Sequence, residues 1–421
     1  MPLVSVVMPT YNRADSIERA IDSVINQTLS DWELIVVDDG STDDTPELIL
    51  QRYAHEPRVK LIRQENQGFA GARNTGLLRG CGKYIAFLDS DDEFLSHHLE
   101  LLSSFLEAHP DENFVTSELW EDFGHGLIVK HYQAEISEWY PKVAAQIGSR
   151  RLDLAPGETD NYLRVYQTRE PIGDWGSDIV ARLPFEDIYL YRGKVFDKLR
   201  WGFLMCVQPT MITRRCLSEI GEFDTGYYAG ADFGFMAELC RCYTANYISA
   251  PVCIKHELTP DGRMLKEGHV ATGETSDVMN KDLIDYLEKL FCGPWPDDLE
   301  LKRLLGLRQF NYACLAISRG QRDKALYYLS EARRNFPALL RATVFYYAVK
   351  LTPQAVLLQK TYNTSYKFNY LLGQIWRKER SVSYLLQRLV RRFSSAMGWS
   401  VAITTFCDDI APLLDSLITV W

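Results

Sequence analysis

Through the first hundred residues, short β-branched runs alternate with helical patterns, and that rhythm leaves few folds open. Residues 4–8 (VSVVM), 34–37 (LIVV), 59–62 (VKLI) and 84–88 (YIAFL) read as strands. Residues 14–27, 46–53 and 70–79 carry helical patterns between them. Thr45 before Pro46 places a cap residue ahead of a proline suited to the first helical position. Apolar strands joined by helices imply a parallel sheet, buried on both faces. Such sheets take their ligands outside the carboxyl ends of the strands.

The residues at those ends are polar. Pro9, Thr10, Tyr11, Asn12 and Arg13 follow the first strand, and Asp38, Asp39, Gly40 and Ser41 follow the second. The third leads to Gln64, Glu65, Asn66, Gln67 and Gly68, the fourth to Asp89, Ser90, Asp91 and Asp92. Carboxylates this crowded repel one another unless a positive charge compensates. Behind a buried strand at the ligand edge, the expected counter-charge is an oxygen-seeking divalent ion, Mg²⁺ or Mn²⁺, shared with a diphosphate. A solvated loop is the alternative, or Asp91 or Asp92 capping the next helix. Asp39 can accept a bond from a base N–H or a ribose hydroxyl, and Thr10 and Tyr11 can floor a nucleoside pocket. Arg73, in NQGFAGARNTG, offers a planar fork that suits phosphate. Singly, Asp39 also fits a turn before Gly40, Arg73 a surface helix and Tyr11 a core. Gathered on one edge, the four favour a shared site.

Four stretches, VSVVMPTYNRADSIERAIDSVINQT, ELIVVDDGSTDDT, NQGFAGARNTGL and GKYIAFLDSDD, stand in this order across residues 3–95. Together they resemble the family 2 glycosyltransferases. The resemblance implies an α/β chain of the GT-A nucleotide-diphospho-sugar transferase fold, a mostly parallel central sheet flanked by helices, followed here by a mainly helical C-terminal region. It implies an inverting hexosyltransferase that moves a sugar from a nucleotide-sugar donor, UDP-sugar favoured, to a hydroxyl of a glycan or lipid-linked acceptor in surface polysaccharide or lipopolysaccharide synthesis. By the same likeness Asp89, Asp91 and Asp92 hold Mn²⁺ or Mg²⁺, and Asp39 reads the base. Pro9, Thr10, Tyr11, Arg13, Gly68, Arg73, Asp89 and Ser90 line the nucleotide-sugar site. In GEFDTGYYAGADFGFMAEL the pair Phe223-Asp224 precedes Asp232, which matches the family's general base; Ala231 stands where the family has Glu. A helix N-cap is the alternative for Asp232. His256 falls where some members carry a residue near the diphosphate and is a candidate third metal ligand, with Lys255 and Arg263 as alternative phosphate contacts.

Beyond residue 114 the pattern loosens into Trp, Tyr, Gly and Pro, with Trp175, Trp201 and the tyrosines at 189 and 191 as acceptor-site or core residues. The expected division is a catalytic domain over 1–275, with a nucleotide half at 1–115 and an acceptor half at 116–275, and a helical domain over 276–421. Residues 308–337 read as a helical hairpin joined at Arg319-Gly320, since one tetratricopeptide-type unit makes no array. In SVSYLLQRLVRRF, within 381–397, leucines and arginines fall on opposite faces, which suits peripheral contact with an anionic membrane or packing on the protein itself. A formal net charge of -10 argues against nucleic acid as a partner. Nine cysteines without a CxxC pair, and no charged leader before a long apolar stretch, suggest a cytoplasmic protein, at most on the inner membrane face. The competing readings are a non-catalytic scaffold that binds nucleotide-sugar or glycan and a nucleotidyltransferase. The latter would want a Gly-rich loop where Pro9, Thr10 and Tyr11 stand.

Overall fold

A computed structural model describes residues 1–122, 128–129, 141–151, 153–202, 204–227, 230–256, 273–292 and 296–351. Strands β1 (Val4–Thr10), β2 (Trp32–Asp38), β3 (Val59–Arg63) and β4 (Tyr84–Phe87) form where the β-branched runs stand. They pair in parallel in the order β3-β2-β1-β4. The helices α1 (Ile17–Ile25), α2 (Thr45–Arg52) and α3 (Gly68–Arg79) connect them. α1 buries Ile17, Ala20, Ile21 and Val24, the stripe an amphipathic helix turns to a core. α3 lies closer to the sheet, because a Cβ at Gly76 would collide with the Val7 side chain. β1 and β2 are buried throughout, whereas β3, at the edge, is only half-buried and departs from the expected burial on both faces. The start of α2 also differs by one residue. Asp44 takes the cap position, and the Thr45 hydroxyl instead donates to Asp43 and accepts from the Arg13 N–H.

The chain continues through β5 (Glu93–Phe94), α4 (His98–Ala108), β6 (Phe114–Asp122) and β7 (Ile128–Val129). A helix α5 (141–147) precedes β8 (Thr168–Pro171), α6 (Asp174–Val180), β9 (Tyr189–Gly193) and α7 (Phe196–Leu199). β10 (Thr210–Thr213), α8 (Leu217–Ile220), α9 (Ala231–Cys242) and β11 (Ala245–His256) complete this part. The sheet extends from β4 through β10, β6, β11 and β9 to β8. β10 is antiparallel to both neighbours, which returns β6 to the direction of β4, and β11 pairs parallel with β6. The central sheet is therefore mostly parallel, as expected. β6 is a core strand despite its weak signature, because Thr116, Ser117 and Glu118 are polar yet fully buried. Their needs are met internally: the Ser117 hydroxyl donates to the Ile248 and Ala250 carbonyls, and Glu118 accepts from the Tyr162 and Tyr247 hydroxyls.

The remainder is helical: α10 (Gly273–Tyr286) with a wider turn at Leu287–Cys292, α11 (Leu299–Ser318), α12 (Arg322–Asn335) and α13 (Leu340–Leu351). α11 and α12 join through Gly320 at φ 70°, a left-handed backbone that glycine adopts without strain, so the expected hairpin is present. The described residues form two compact units, one of 1–309 with 332–339 and one of 310–331 with 340–351. The expected basic helix at 381–397 lies outside the described residues. Among those described, no helix is long and apolar enough to cross a membrane.

The end of the sheet opposite the candidate site is held by one carboxylate. Glu33 Oε1 accepts from the Ser5 hydroxyl at 2.7 Å and the Cys81 N–H at 2.6 Å, and Oε2 pairs with Lys60 at 2.7 Å. Burial alone would raise its pKa, but the Cys81 N–H, Lys60 and Ser5 outweigh it and bring the carboxyl down to about 2. A depressed carboxyl stabilises the fold above its ordinary pKa of 4.5 and loses that contribution as pH falls toward about 2. Glu33→Gln is expected to cost about 2 kcal/mol at pH 7. In urea melts the gap from wild type narrows below pH 4.5.

Candidate active site

Backbone bends and side-chain bonds lace the loops after β1 and β2 into one edge. Asn12 adopts φ 52°, a conformation asparagine tolerates. Its N–H donates to the Ser41 hydroxyl and its Oδ1 accepts from the Thr42 N–H, while the Ser41 N–H donates to Asp38. The Asp39 N–H donates to the Thr10 carbonyl, so β1 and β2 end in register. Asp39 is buried, and its Oδ1 accepts from Gln64 Nε2 at 2.8 Å and the Gln67 N–H at 2.9 Å. That ties the second strand to the turn before α3, where Gly68 stands at φ 74°. Tyr11 is 45% exposed at this edge rather than in the core. The Thr10 hydroxyl is buried there without a hydrogen-bond partner.

The acidic tip of β4 does not cap a helix. Asp91 and Asp92 precede the short β5, and α4 begins only at His98 with His97 at its cap. Asp89, quarter-exposed, is engaged on both oxygens: Oδ1 by Arg73 at 2.6 Å and Oδ2 by Gln208 at 2.6 Å. Asp91 pairs with Arg13 at 3.3 Å, and its carbonyl accepts from Arg19. Asp92 is buried, accepting from the His256 N–H at 3.1 Å on Oδ1 and facing Gln208 Nε2 at 3.4 Å on Oδ2. Burial first, then the Asp91 and Asp89 charges, push the Asp92 pKa well above the ordinary range, against the His256 N–H and Lys255. Ser90 is buried between them.

Arg73 is only 2% exposed and spends its fork inside the site. Besides Asp89 it meets Asp232 Oδ1 at 2.6 Å, its Nε is buried without a partner, and its guanidinium lies over the Phe223 ring. Asp232 sits in the first turn of α9, whose cap is Gly230, so Asp232 is not the N-cap. Burial raises its pKa, Arg73 lowers it and Asp89 raises it again; the net direction is up. Arg73 thus links Asp232 to the acidic tip through Asp89. The next residue on α3 secures the approach to α9: Asn74 donates to the Phe223 carbonyl and accepts from the Phe223 N–H, both at 2.9 Å. Phe223 then stacks on Phe235 of α9.

His256 joins the site through its backbone. Its ring nitrogens lie 3.2 Å from Asp122 and 3.3 Å from Glu93, both partners being carboxylates on neighbouring strands. Lys255 lies 4.0 Å from Glu121, and Arg263 falls outside the described residues. Pro9 is buried within β1. Trp201 is core, and Trp175 packs edge-on against Phe105. Among the described residues no three His, Cys, Asp or Glu side chains gather closely enough to hold a metal unaided. Two site residues escaped the sequence reading. Gln208 stands in a stretch without periodic signal, and Asn74 lies inside a recognised motif but acts on a main chain 149 positions away.

A mixed sheet with a carboxylate cluster and a buried arginine at the carboxyl ends of its strands is the class of α/β protein that binds ligands at that edge. Residues 5–163 match the family model described as Glycosyl transferase family 2, and the mostly parallel sheet is the architecture expected from that likeness. An "Uncharacterized glycosyltransferase" of Rickettsia bellii (strain RML369-C) is 46% identical over 114 residues, 27% of this chain and 16% of that protein. The Escherichia coli "UDP-Glc:alpha-D-GlcNAc-diphosphoundecaprenol beta-1,3-glucosyltransferase WfgD" is 45% identical over 105 residues, 25% of this chain and 41% of that one. The chain spans less than half the length of these relatives. The crystal structure of S. aureus TarS 1-349 covers 79% of this chain and 88% of its own, at 14% identity and a TM-score of 0.43.

Arg73→Leu leaves Asp89 and Asp232 facing each other without their shared cation. The expected cost is about 3 kcal/mol at pH 7, as when one partner of a buried pair is removed. Urea melts at pH 7 and pH 4 check it, the loss shrinking at pH 4 as Asp232, whose pKa is raised, takes up a proton.

Proposed function

We propose that residues 1–275 catalyse inverting transfer of a sugar from a nucleotide-diphosphate donor, UDP-sugar in the first instance, to a hydroxyl of a glycan or lipid-linked acceptor. The observation that carries the reading is the bonded path from Asp232 through Arg73 to Asp89, which fixes a basic carboxylate relative to an acidic strand tip. The name of the Escherichia coli relative, with its UDP-Glc donor and lipid-diphosphate acceptor, supports the donor and acceptor classes.

Asp89, Asp91 and Asp92 offer carboxylate oxygens of the kind that suits Mn²⁺ or Mg²⁺, and the burial and like charges that push the Asp92 pKa up are what a bound cation would relieve, so the residues fit such an ion. Bound together with the donor, the ion would supply Lewis-acid neutralisation of charge on the departing diphosphate. Asp39 offers its carboxylate to the base, and the partnerless Thr10 hydroxyl and exposed Tyr11 complete a nucleoside floor with Pro9 and Gly68. Arg13 and Ser90 flank the diphosphate side.

Asp232 then takes the proton of the acceptor hydroxyl as it attacks the anomeric carbon. A placed carboxylate contributes roughly 10²–10⁴-fold to such a step. Its raised pKa makes it a stronger base than an exposed aspartate, and Arg73 keeps it ionised and aimed. The attack breaks the bond to the diphosphate in one displacement and inverts the centre.

Asp232→Asn is expected to lower kcat at least about 100-fold while leaving UDP binding intact. Radiolabelled-sugar transfer and thermal shifts with UDP and Mn²⁺ measure the two separately. The acid limb of kcat/KM should lie above pH 3.8, because the base must lose its proton and its pKa is raised from that value. No transfer by the wild type with any nucleotide-sugar would favour a binding scaffold instead.

A further inference from the structure

We propose that Gln208, in the turn leading into β10, is a positioning residue that holds Asp89 and Asp92 together as one cation-binding pair and, through Arg73, keeps that pair in register with Asp232. The inference rests on the metal and donor reading given above. It follows from a continuous chain of contacts. Asp232 Oδ1 meets Arg73 Nη1, Arg73 Nη2 meets Asp89 Oδ1, and Asp89 Oδ2 meets Gln208 Nε2, each at 2.6 Å. The same amide nitrogen reaches Asp92 Oδ2 at 3.4 Å, and Asp92 Oδ1 ends the chain on the His256 N–H.

An amide has the chemistry this position demands. Its NH₂ carries two protons, enough for two acceptor-only carboxylates, and no net charge. A lysine or arginine here would hold the same oxygens but neutralise them, and would compete with a metal ion for the pair. Gln208 draws two repelling carboxylates together without adding a positive charge to the one Asp89 already meets at Arg73. The side chain is 8% exposed, so its orientation is set by the fold. Its neighbour Pro209 fixes one backbone torsion of the turn, and Thr210 anchors it with its N–H on the Val207 carbonyl and its hydroxyl on the Cys206 carbonyl. Gln208 is thus delivered to the acidic tip by a strand antiparallel to β4, on which that tip stands.

The test compares wild type, Gln208→Ala and Gln208→Glu, each checked for a cooperative melt, in thermal-shift titrations of Mn²⁺ at fixed UDP. Gln208→Ala should raise the Mn²⁺ concentration for half-maximal stabilisation about 10-fold, the size of effect that loss of a residue orienting a metal ligand produces. Gln208→Glu keeps the shape but adds a charge; it should melt lower than wild type without metal and gain more than wild type from Mn²⁺. A UDP and Mn²⁺ effect in the wild type that both folded variants share unchanged would overturn the inference alone. Failure of both variants to fold would overturn it too, by making Gln208 a residue of the fold. No effect of UDP and Mn²⁺ in the wild type would sink the donor reading and this inference with it.

Discussion

A guanidinium almost wholly out of water sits between two carboxylates, and the rest of the site is arranged around that fact. Arg73 meets Asp89 and Asp232 at 2.6 Å each, and its positive charge offsets theirs. Removing a charge from water costs several kcal/mol even after relaxation, so such a triad persists only where the geometry is good and the contacts are many. Both short ion pairs meet that condition. The arrangement ties the base candidate to Arg73, 159 residues earlier in the chain, and through Arg73 to the end of β4.

The sheet makes this possible through close approach rather than through any single strong contact. Gly76 lets α3 settle onto Val7, which lowers Arg73 and Asn74 into the plane where β4 ends and α9 begins. Asn74 then captures the main chain at Phe223, so the loop before α9 cannot drift away from α3. At the opposite end of the strands, Glu33 gathers Ser5, Lys60 and Cys81 and fixes β1, β2 and β3 against the turn into β4. Stability and charge are therefore separated: an ion-paired anchor below, and a crowd of carboxylates above, where burial and the Asp91 and Asp89 charges push the Asp92 pKa up.

Much of the first 115 residues was legible in the sequence because their signals are local. β-branched runs, an amphipathic stripe from Ile17 to Val24 and a polar residue at each strand end need no knowledge of distant contacts. Asp39, Arg73, Asp89, Asp91, Asp92 and Asp232 do converge on one edge. What was not legible depends on partners far along the chain. Thr116, Ser117 and Glu118 look like a surface segment until the bulged β11 and two tyrosines are seen to satisfy them. Arg73 reads as a phosphate fork, but its fork is filled by carboxylates from residues 89 and 232. Gln208 carries no charge and stands in no periodic pattern, so only the fold brings it to Asp89.

The central claim is that the acidic tip holds a divalent ion jointly with a diphosphate, on a framework that also fixes Asp232. Electron paramagnetic resonance of Mn²⁺ tests it most directly, since the sharp signal of the hydrated ion fades when the ion is bound. The account predicts weak loss of signal with protein alone, strong loss when UDP is added, and neither with Asp91→Asn. A signal that stays sharp with protein and UDP together, or that fades equally with Asp91→Asn, would contradict it.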